Sequence, residues 1–361
     1  MLRETPLAHP QWSRITPNMN GEPIAPQSCR ATSMWVRYAG GALLFVFYVD
    51  AFLRDGAWYS WVLFGALLIP AAIGIFVTTR HLPRAARPSL TDMALALAST
   101  LIVAVAVREF GLSPVLAASL MGVIAGLVSI MHSRLASAAV PLYCGSFAGM
   151  TSALVLADWL SVTIAGLCAG LLVSLLRTTW DGVGGKLGFL AFAGVFLTSF
   201  VARGLGTIGP GAPLIKFDHA DHIALLAVPP LAATITWALR HRGISPVMAS
   251  AAPTAAFALL LLVLDDNTPL GDLMPFTYVS LCVAWFGGSF IGMTSPGRVG
   301  GRLWPLLVAA FLFGVLQIAF EPTIAGYGGD FGATASVAVL ATIGCVAVVR
   351  HVASSRRAAS P

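Results

Sequence analysis

Long apolar runs separated by short polar breaks fill most of this chain. A helix needs about 20 apolar residues to cross the hydrocarbon core of a bilayer. Runs of that kind recur at 38–54, 58–78, 91–108, 112–131, 137–156, 160–176, 186–202, 221–239, 244–264, 275–295, 303–320 and 332–349. Two of the boundaries need argument. Residues 137–176 are continuously apolar except at Asp158-Trp159, where we divide them, and 275–320 divides at the polar, glycine-rich segment Ser295–Arg302. The pattern predicts an all-α polytopic membrane protein with about twelve spans.

Three short phrases each occur twice, in the same order. Gly111-Leu-Ser-Pro-Val-Leu-Ala117 returns as Gly243-Ile-Ser-Pro-Val-Met-Ala249. Cys144-Gly-Ser-Phe-Ala-Gly-Met-Thr-Ser152 returns as Gly287-Gly-Ser-Phe-Ile-Gly-Met-Thr-Ser295, and Gly182-Val-Gly-Gly-Lys-Leu-Gly188 as Gly326-Tyr-Gly-Gly-Asp-Phe-Gly332. The offsets are 132, 143 and 144 residues. A duplicated membrane unit accounts for this order, and membrane transporters commonly place the substrate site where two such units meet.

Composition agrees with lipid as the solvent. Hydrophobic residues make up 57% of the chain, charged residues 10%, and mean hydropathy is +0.85. A water-soluble domain of this length could not hide so much apolar surface. The five cysteines form no C-x-x-C pair and no disulfide framework. Residues 1–37 are polar and proline-rich without an apolar core, so they read as a cytoplasmic tail, not as a signal peptide. The net charge of +6 suits basic cytoplasmic loops and gives no support to nucleic-acid binding.

Charge then orients the spans. With the N-terminus in the cytoplasm, 17 of the 21 basic residues fall inside, and Arg54, Arg108, Arg203 and Lys216 fall outside. That asymmetry is the positive-inside pattern, with both termini cytoplasmic. Spans three to seven (91–203) make one five-helix repeat and spans eight to twelve (221–350) the other. Two helices at 38–78 precede them, an outer linker at 204–220 joins them, and a tail at 351–361 follows. Five is odd, so the second repeat enters from the opposite side and the repeats are inverted. This plan resembles that of ammonium channels, urea channels and leucine-type sodium symporters in architecture, with none of their sequence motifs. High Ala, Gly and Arg usage points to a bacterial inner membrane.

Candidate chemistry concentrates in the repeated phrases. Gly145, Ser146, Gly149, Thr151 and Ser152, with Gly288, Ser289, Gly292, Thr294 and Ser295, combine glycines with hydroxyls where hydroxyls cost energy unless used. Ser146, Thr151, Ser289 and Thr294 are expected to present hydrogen bonds from both repeats to one small solute near the midplane. The competing expectation is a helix-crossing motif, with Gly-x-x-x-Gly for close approach and hydroxyls bonded to their own helix. Gly184, Gly185 and Lys186, with Gly328, Gly329 and Asp330, form turns before spans seven and twelve, a basic inner entrance and an acidic outer one, or else plain re-entry turns. Ser-Pro-Val at the starts of spans four and nine is a helix N-terminus. Asp218, His219, Asp221 and His222 carry metal-ligand chemistry without a further ligand nearby. Arg108-Glu109 reads as an interfacial ion pair and Asp158 as an interfacial turn.

No Asp, Glu or Lys stands at the centre of a span, whereas ion-driven carriers commonly bury one. The leading expectation is a transporter or channel for a small neutral or anionic solute, with no cofactor and no catalytic residues. Its partners would be the lipid bilayer, the solute and further copies of the chain as a homo-oligomer. A non-catalytic membrane scaffold and, third, an integral-membrane enzyme acting on lipid-linked substrates are the alternatives.

Overall fold

The computed structural model describes residues 58–79, 88–204, 217–267 and 277–359, together with helical positions 42, 46 and 49. The tail 1–37, most of the first expected span and most of the outer linker lie outside the described residues. Among the described residues there is helix and no strand. We number the helices α1 (Trp58–Thr79), α2 (Leu90–Arg108), α3 (Pro114–Met131), α4 (Ala139–Gly149), α5 (Trp159–Leu175) and α6 (Lys186–Gly204). There follow α7 (His219–His241), α8 (Pro246–Asn267), α9 (Tyr278–Gly292), α10 (Pro296–Val299), α11 (Trp304–Ile324) and α12 (Asp330–Ala359). A 3-10 turn at Ser133–Ala138 leads into α4. Six helices are long and apolar enough to cross a membrane: α1, α2, α3, α7, α8 and α12. The other apolar helices are shorter, between 10 and 17 residues in their apolar part. These are the features of a multi-pass membrane protein.

Local sequence explains most helix starts. Ser89, Asp158, Asp218 and Thr277 cap α2, α5, α7 and α9, each side chain accepting a backbone N–H three residues on. Pro114 and Pro246 open α3 and α8, where a missing N–H costs nothing. α12 continues to Ala359 and so includes most of the expected tail at 351–361. Its last residues are Ala, Ser and Arg, with no glycine or proline before Pro361 to stop it.

Two helices end sooner than their apolar runs. The run 137–156 is helical only to Gly149, and 275–295 only to Gly292. The cause is tertiary. Were α4 to continue, Ser152 N–H would bond the Ala148 carbonyl; instead Thr151 takes that carbonyl through both its N–H (3.2 Å) and its hydroxyl (2.6 Å). Ser152 N–H turns to the Gly326 carbonyl, 2.9 Å away and far along the chain. α9 ends alike, with Ser295 N–H on the Gly182 carbonyl at 2.8 Å and Pro296 following. Of the apolar residues after Gly149, Met150, Val155 and Leu156 are buried in protein.

Helix packing in 90–204 recurs in 219–359. α2 packs on α3, α4 and α5, and α7 packs on α8, α9 and α11. α4 also meets α3, α5 and α6; α9 meets α8, α11 and α12; α5 lies on α6 as α11 lies on α12. The two sets join where counterparts touch each other, α3 on α8 and α6 on α12. At the second junction a Cβ added to Gly188 would lie 2.6 Å from the Gly332 Cα, and one added to Gly332 would lie 2.5 Å from the Gly188 Cα. Only glycine lets these backbones come so close. α1 breaks the pattern by lying on α12 and α11, with the Ser60 hydroxyl donating to the Ala319 carbonyl at 2.9 Å.

Candidate functional site

The second and third repeated phrases are each other's partners, crosswise between the two helix sets. Gly184 N–H donates to the Thr294 hydroxyl oxygen at 3.2 Å, and Gly328 N–H donates to that of Thr151, also at 3.2 Å. The Ser295–Gly182 and Ser152–Gly326 backbone bonds lie beside them. Gly185 and Gly329, which follow these donors at φ +82° and +87°, hold the left-handed backbone that favours glycine. Thr151 and Thr294 are almost wholly buried. Their retention with the glycines therefore has a structural reason: each phrase supplies what the other lacks.

Between these joints the α4 and α9 copies meet through aromatic rings. Phe147 lies 5.1 Å from Phe290, 5.7 Å from Phe286 and 4.4 Å from Tyr143, centroid to centroid. Phe286 and Phe290 are 4.4 Å apart. Tilted and edge-to-face arrangements of this kind are the favourable ones. Ser146 and Ser289 sit behind the rings, fully buried, and donate to the carbonyls of Tyr143 and Phe286, each at 2.7 Å. This is the own-helix bonding of the helix-crossing expectation, and neither serine lines either of the two cavities that flank the rings. Ser289 also shares a 2.8 Å hydrogen bond with Ser250 on α8, which reaches the Tyr143 hydroxyl at 3.1 Å.

Two cavities flank the aromatic cluster. One, about 510 Å³, is bounded by Lys186, Arg240, Ser245, Pro246, Val247, Met293, Ser295, Gly182 and Val183 and reaches inward to Tyr143, Phe147 and Phe290. The other, about 400 Å³, is bounded by Asp330, Arg108, Ser113, Pro114, Val115, Met150, Ser152, Gly326 and Tyr327. Position for position, these two lists are counterparts at the offsets of the repeated phrases. The cavities lie at opposite ends of α2. Its start faces the first through Asp92, whose carboxylate is 3.8 Å from the cavity residue Arg177, and its end, Arg108, lines the second. Nineteen residues of helix separate those ends by about 28 Å. α7 points the other way, its last turn bringing Arg240 to the first cavity.

Charge distinguishes the cavities. Arg177, Lys186 and Arg240 face Asp181 in the first, whereas Arg108 and Asp330 share the second. The two counterpart arginines also close broken helices. Arg108 donates to the carbonyls of Leu156 (2.7 Å) and Thr151 (3.3 Å), and Arg240 to that of Met293. A cation at a helix C-terminus is favoured by the helix dipole. Thus Arg108, read from the sequence as an ion-pair partner of Glu109, binds backbone carbonyls and lies over the Trp159 ring. Lys186 donates to the Arg177 carbonyl at 2.7 Å.

The Asp218–His222 segment is a helix start. Asp218 and Asp221 form a reciprocal capping box, and Asp221 also accepts from the Thr277 and Ser280 hydroxyls at 3.0 and 2.6 Å, tying α7 to α9. The His219 and His222 rings are 6.2 Å apart, and among the described residues no three His, Cys, Asp or Glu side chains gather to hold an ion. Asp158 caps α5; bonds from the Ser161 N–H and hydroxyl hold its carboxyl below the ordinary range.

No protein-family model, curated protein or solved structure matches the chain. The roles of Arg108, Arg240 and Tyr143 were missed in the sequence. A signal for the arginines was present: they stand at the same 132-residue offset as the Gly-x-Ser-Pro phrases three residues later.

Proposed function

We propose that this chain is a membrane transporter or channel for a small neutral or anionic solute, its pathway running between two inverted five-helix repeats. The observation that carries the reading is the pair of counterpart cavities at opposite ends of the helix bundle, separated by the Phe147–Phe290 cluster. Opposite directions of α2 and α7 support inversion, because Arg108 and Arg240, equivalent in sequence, line opposite cavities. Twelve spans in total, with two helices before the repeats and both termini in the cytoplasm, complete the reading. The Lys186 cavity then opens to the cytoplasm and reaches the cluster, while the Asp330 cavity faces outward. Movement of the solute requires the aromatic cluster to part.

A membrane scaffold is the second reading. Ser146 and Ser289 favour it, because their hydroxyls serve helix packing instead of a solute. Sided thiol labelling separates the two. In a cysteine-free background, Val140→Cys in the first cavity and Val283→Cys in the second should react with a membrane-impermeant maleimide from opposite faces of proteoliposomes. Reaction of neither site, or of both from one face, would remove the transport reading.

A further inference from the structure

The Lys186 cavity is lined by three cations and one acid; with Arg177 paired to Asp92, it still sets Lys186 and Arg240 against Asp181 alone, in a volume far larger than an inorganic ion fills. About 510 Å³ falls within the range of sites that hold metabolite-sized molecules. Its inner end is aromatic, made by Tyr143, Phe147 and Phe290. Arg177 lies 44% exposed at the outer end, and the Lys186 ammonium reaches its carbonyl. The cavity is therefore amphipathic along its depth, apolar at the floor and cationic towards the mouth. Lys186 has three N–H donors and Arg240 five, and one contact with a carbonyl is made by each.

The counterpart cavity serves as an internal control. It has the same backbone frame, yet Asp330 replaces Lys186 and its charged wall residues are one cation and one anion. Folding alone thus does not demand the excess of positive charge. We propose that the Lys186 cavity binds an organic anion, a carboxylate on an apolar or aromatic body, with the carboxylate towards Lys186 and Arg240 and the body against the ring cluster. The shape of the charge selects against two simpler ligands. An inorganic anion leaves the aromatic floor unused, and a neutral aromatic leaves Lys186 and Arg240 with Asp181 as their one acidic neighbour in the wall. The consequence for transport rests on the pathway reading above; binding itself does not.

Calorimetry on the purified full-length chain tests this with benzoate, benzamide, sulfate and dodecanoate as probes. Benzoate should bind saturably, and benzamide and sulfate at least about tenfold more weakly, the order expected for losing a charge-assisted hydrogen bond. Lys186→Gln should weaken benzoate by about tenfold or more, and Lys186→Arg should restore most of that. Arg302→Gln, which removes an exposed cation outside the cavity, should leave binding unchanged. Unchanged melting of the ligand-free variants shows that they are folded. Equal binding of benzamide, tighter binding of sulfate, indifference to Lys186→Gln, or no binding of benzoate would overturn the proposal. Displacement of benzoate by dodecanoate at tenfold lower concentration would support the carboxylate site and identify its apolar body as an acyl chain. Flux into proteoliposomes separates the two claims: benzoate bound but never carried leaves the site and removes transport, whereas benzamide carried in place of benzoate does the reverse.

Discussion

Side by side, the Lys186 and Asp330 cavities share a frame and differ in their walls. Arginine, Ser-Pro-Val, methionine, serine and glycine recur at the frame positions, and most of these bond backbone or pack against the opposite helix set. Four apolar wall positions diverge in one direction. Ala136, Ala139, Val183 and Leu187 on the Lys186 side correspond to Val279, Cys282, Tyr327 and Phe331 on the Asp330 side. Each of these four replacements is larger. Bulk explains why the first cavity is 510 Å³ and touches the rings while the second is 400 Å³ and does not. Packing therefore accounts for what the halves keep in common, and the differences lie where side chains face open space.

The most damaging way to break this comparison is to remove what separates the cavities. Phe147 is 1% exposed and touches all three other rings of the cluster. Phe147→Ala should destabilise the fold by about 3–5 kcal/mol, the usual cost of emptying a buried ring site. Its counterpart Phe290→Ala should cost a similar amount, since it too is buried among the same rings. Denaturation in mild detergent measures the loss. If the pathway reading holds, either variant should also make liposomes leak a small solute that the parent retains.

Next in size is the crosswise joint. Thr151→Val and Thr294→Val keep volume while removing the acceptors for Gly328 N–H and Gly184 N–H. Each leaves a buried donor unpaired, worth about 1–3 kcal/mol. The two losses should be equal within error and should add in the double variant, because the joints lie on opposite sides of the aromatic cluster. Unequal losses would mean that the halves are alike in sequence but not in load.

How much of this was legible beforehand follows from what a membrane sequence records. Hydropathy records span length, so the order of helices in 90–204 and 219–359 could be read, as could the Ser-Pro-Val helix starts. Hydropathy does not tell lipid from protein interior. The run 137–156 therefore read as one span although Val155 and Leu156 are buried in a non-helical segment. Repetition shows that two phrases matter together without showing that each is the other's partner. The serine hydroxyls were ambiguous for a related reason: whether Ser146 faces a cavity or its own helix depends on a rotamer, and no residue pattern states it. Arg108 looked like surface charge because its true partners are backbone carbonyls exposed by a helix break.

A smaller test sharpens the contrast at the floor of the Lys186 cavity. Tyr143 corresponds to Phe286, so Tyr143→Phe makes the two ring sets alike. It removes the 3.1 Å bond to Ser250, while Ser250 keeps Ser289 as a partner. No group is left unpaired, so the loss should be only about 1 kcal/mol. Thermal denaturation should show a modest shift, with the ring packing of Phe147 preserved.

The smallest effect concerns the helices that follow the two broken ones. α5 begins at a true cap, the exposed Asp158, whose carboxylate accepts from Ser161; α11 is preceded by Leu303, which has no side chain able to cap. Since the Asp158 carboxyl is held below its ordinary range, its contribution is complete above the unfolded-chain value of about 3.9 and fades as pH falls through the lower folded value. Acid should therefore loosen the start of α5 and leave that of α11 untouched. Hydrogen exchange measured from pH 6 down to pH 3, corrected for intrinsic rates, should show first-turn protection falling in α5 and not in α11. Asp158→Asn keeps a cap but cannot titrate, so its α5 should lose that acid sensitivity, and Asp158→Ala should cost about 1 kcal/mol at neutral pH. An unaltered acid profile in Asp158→Asn would place the titrating group elsewhere.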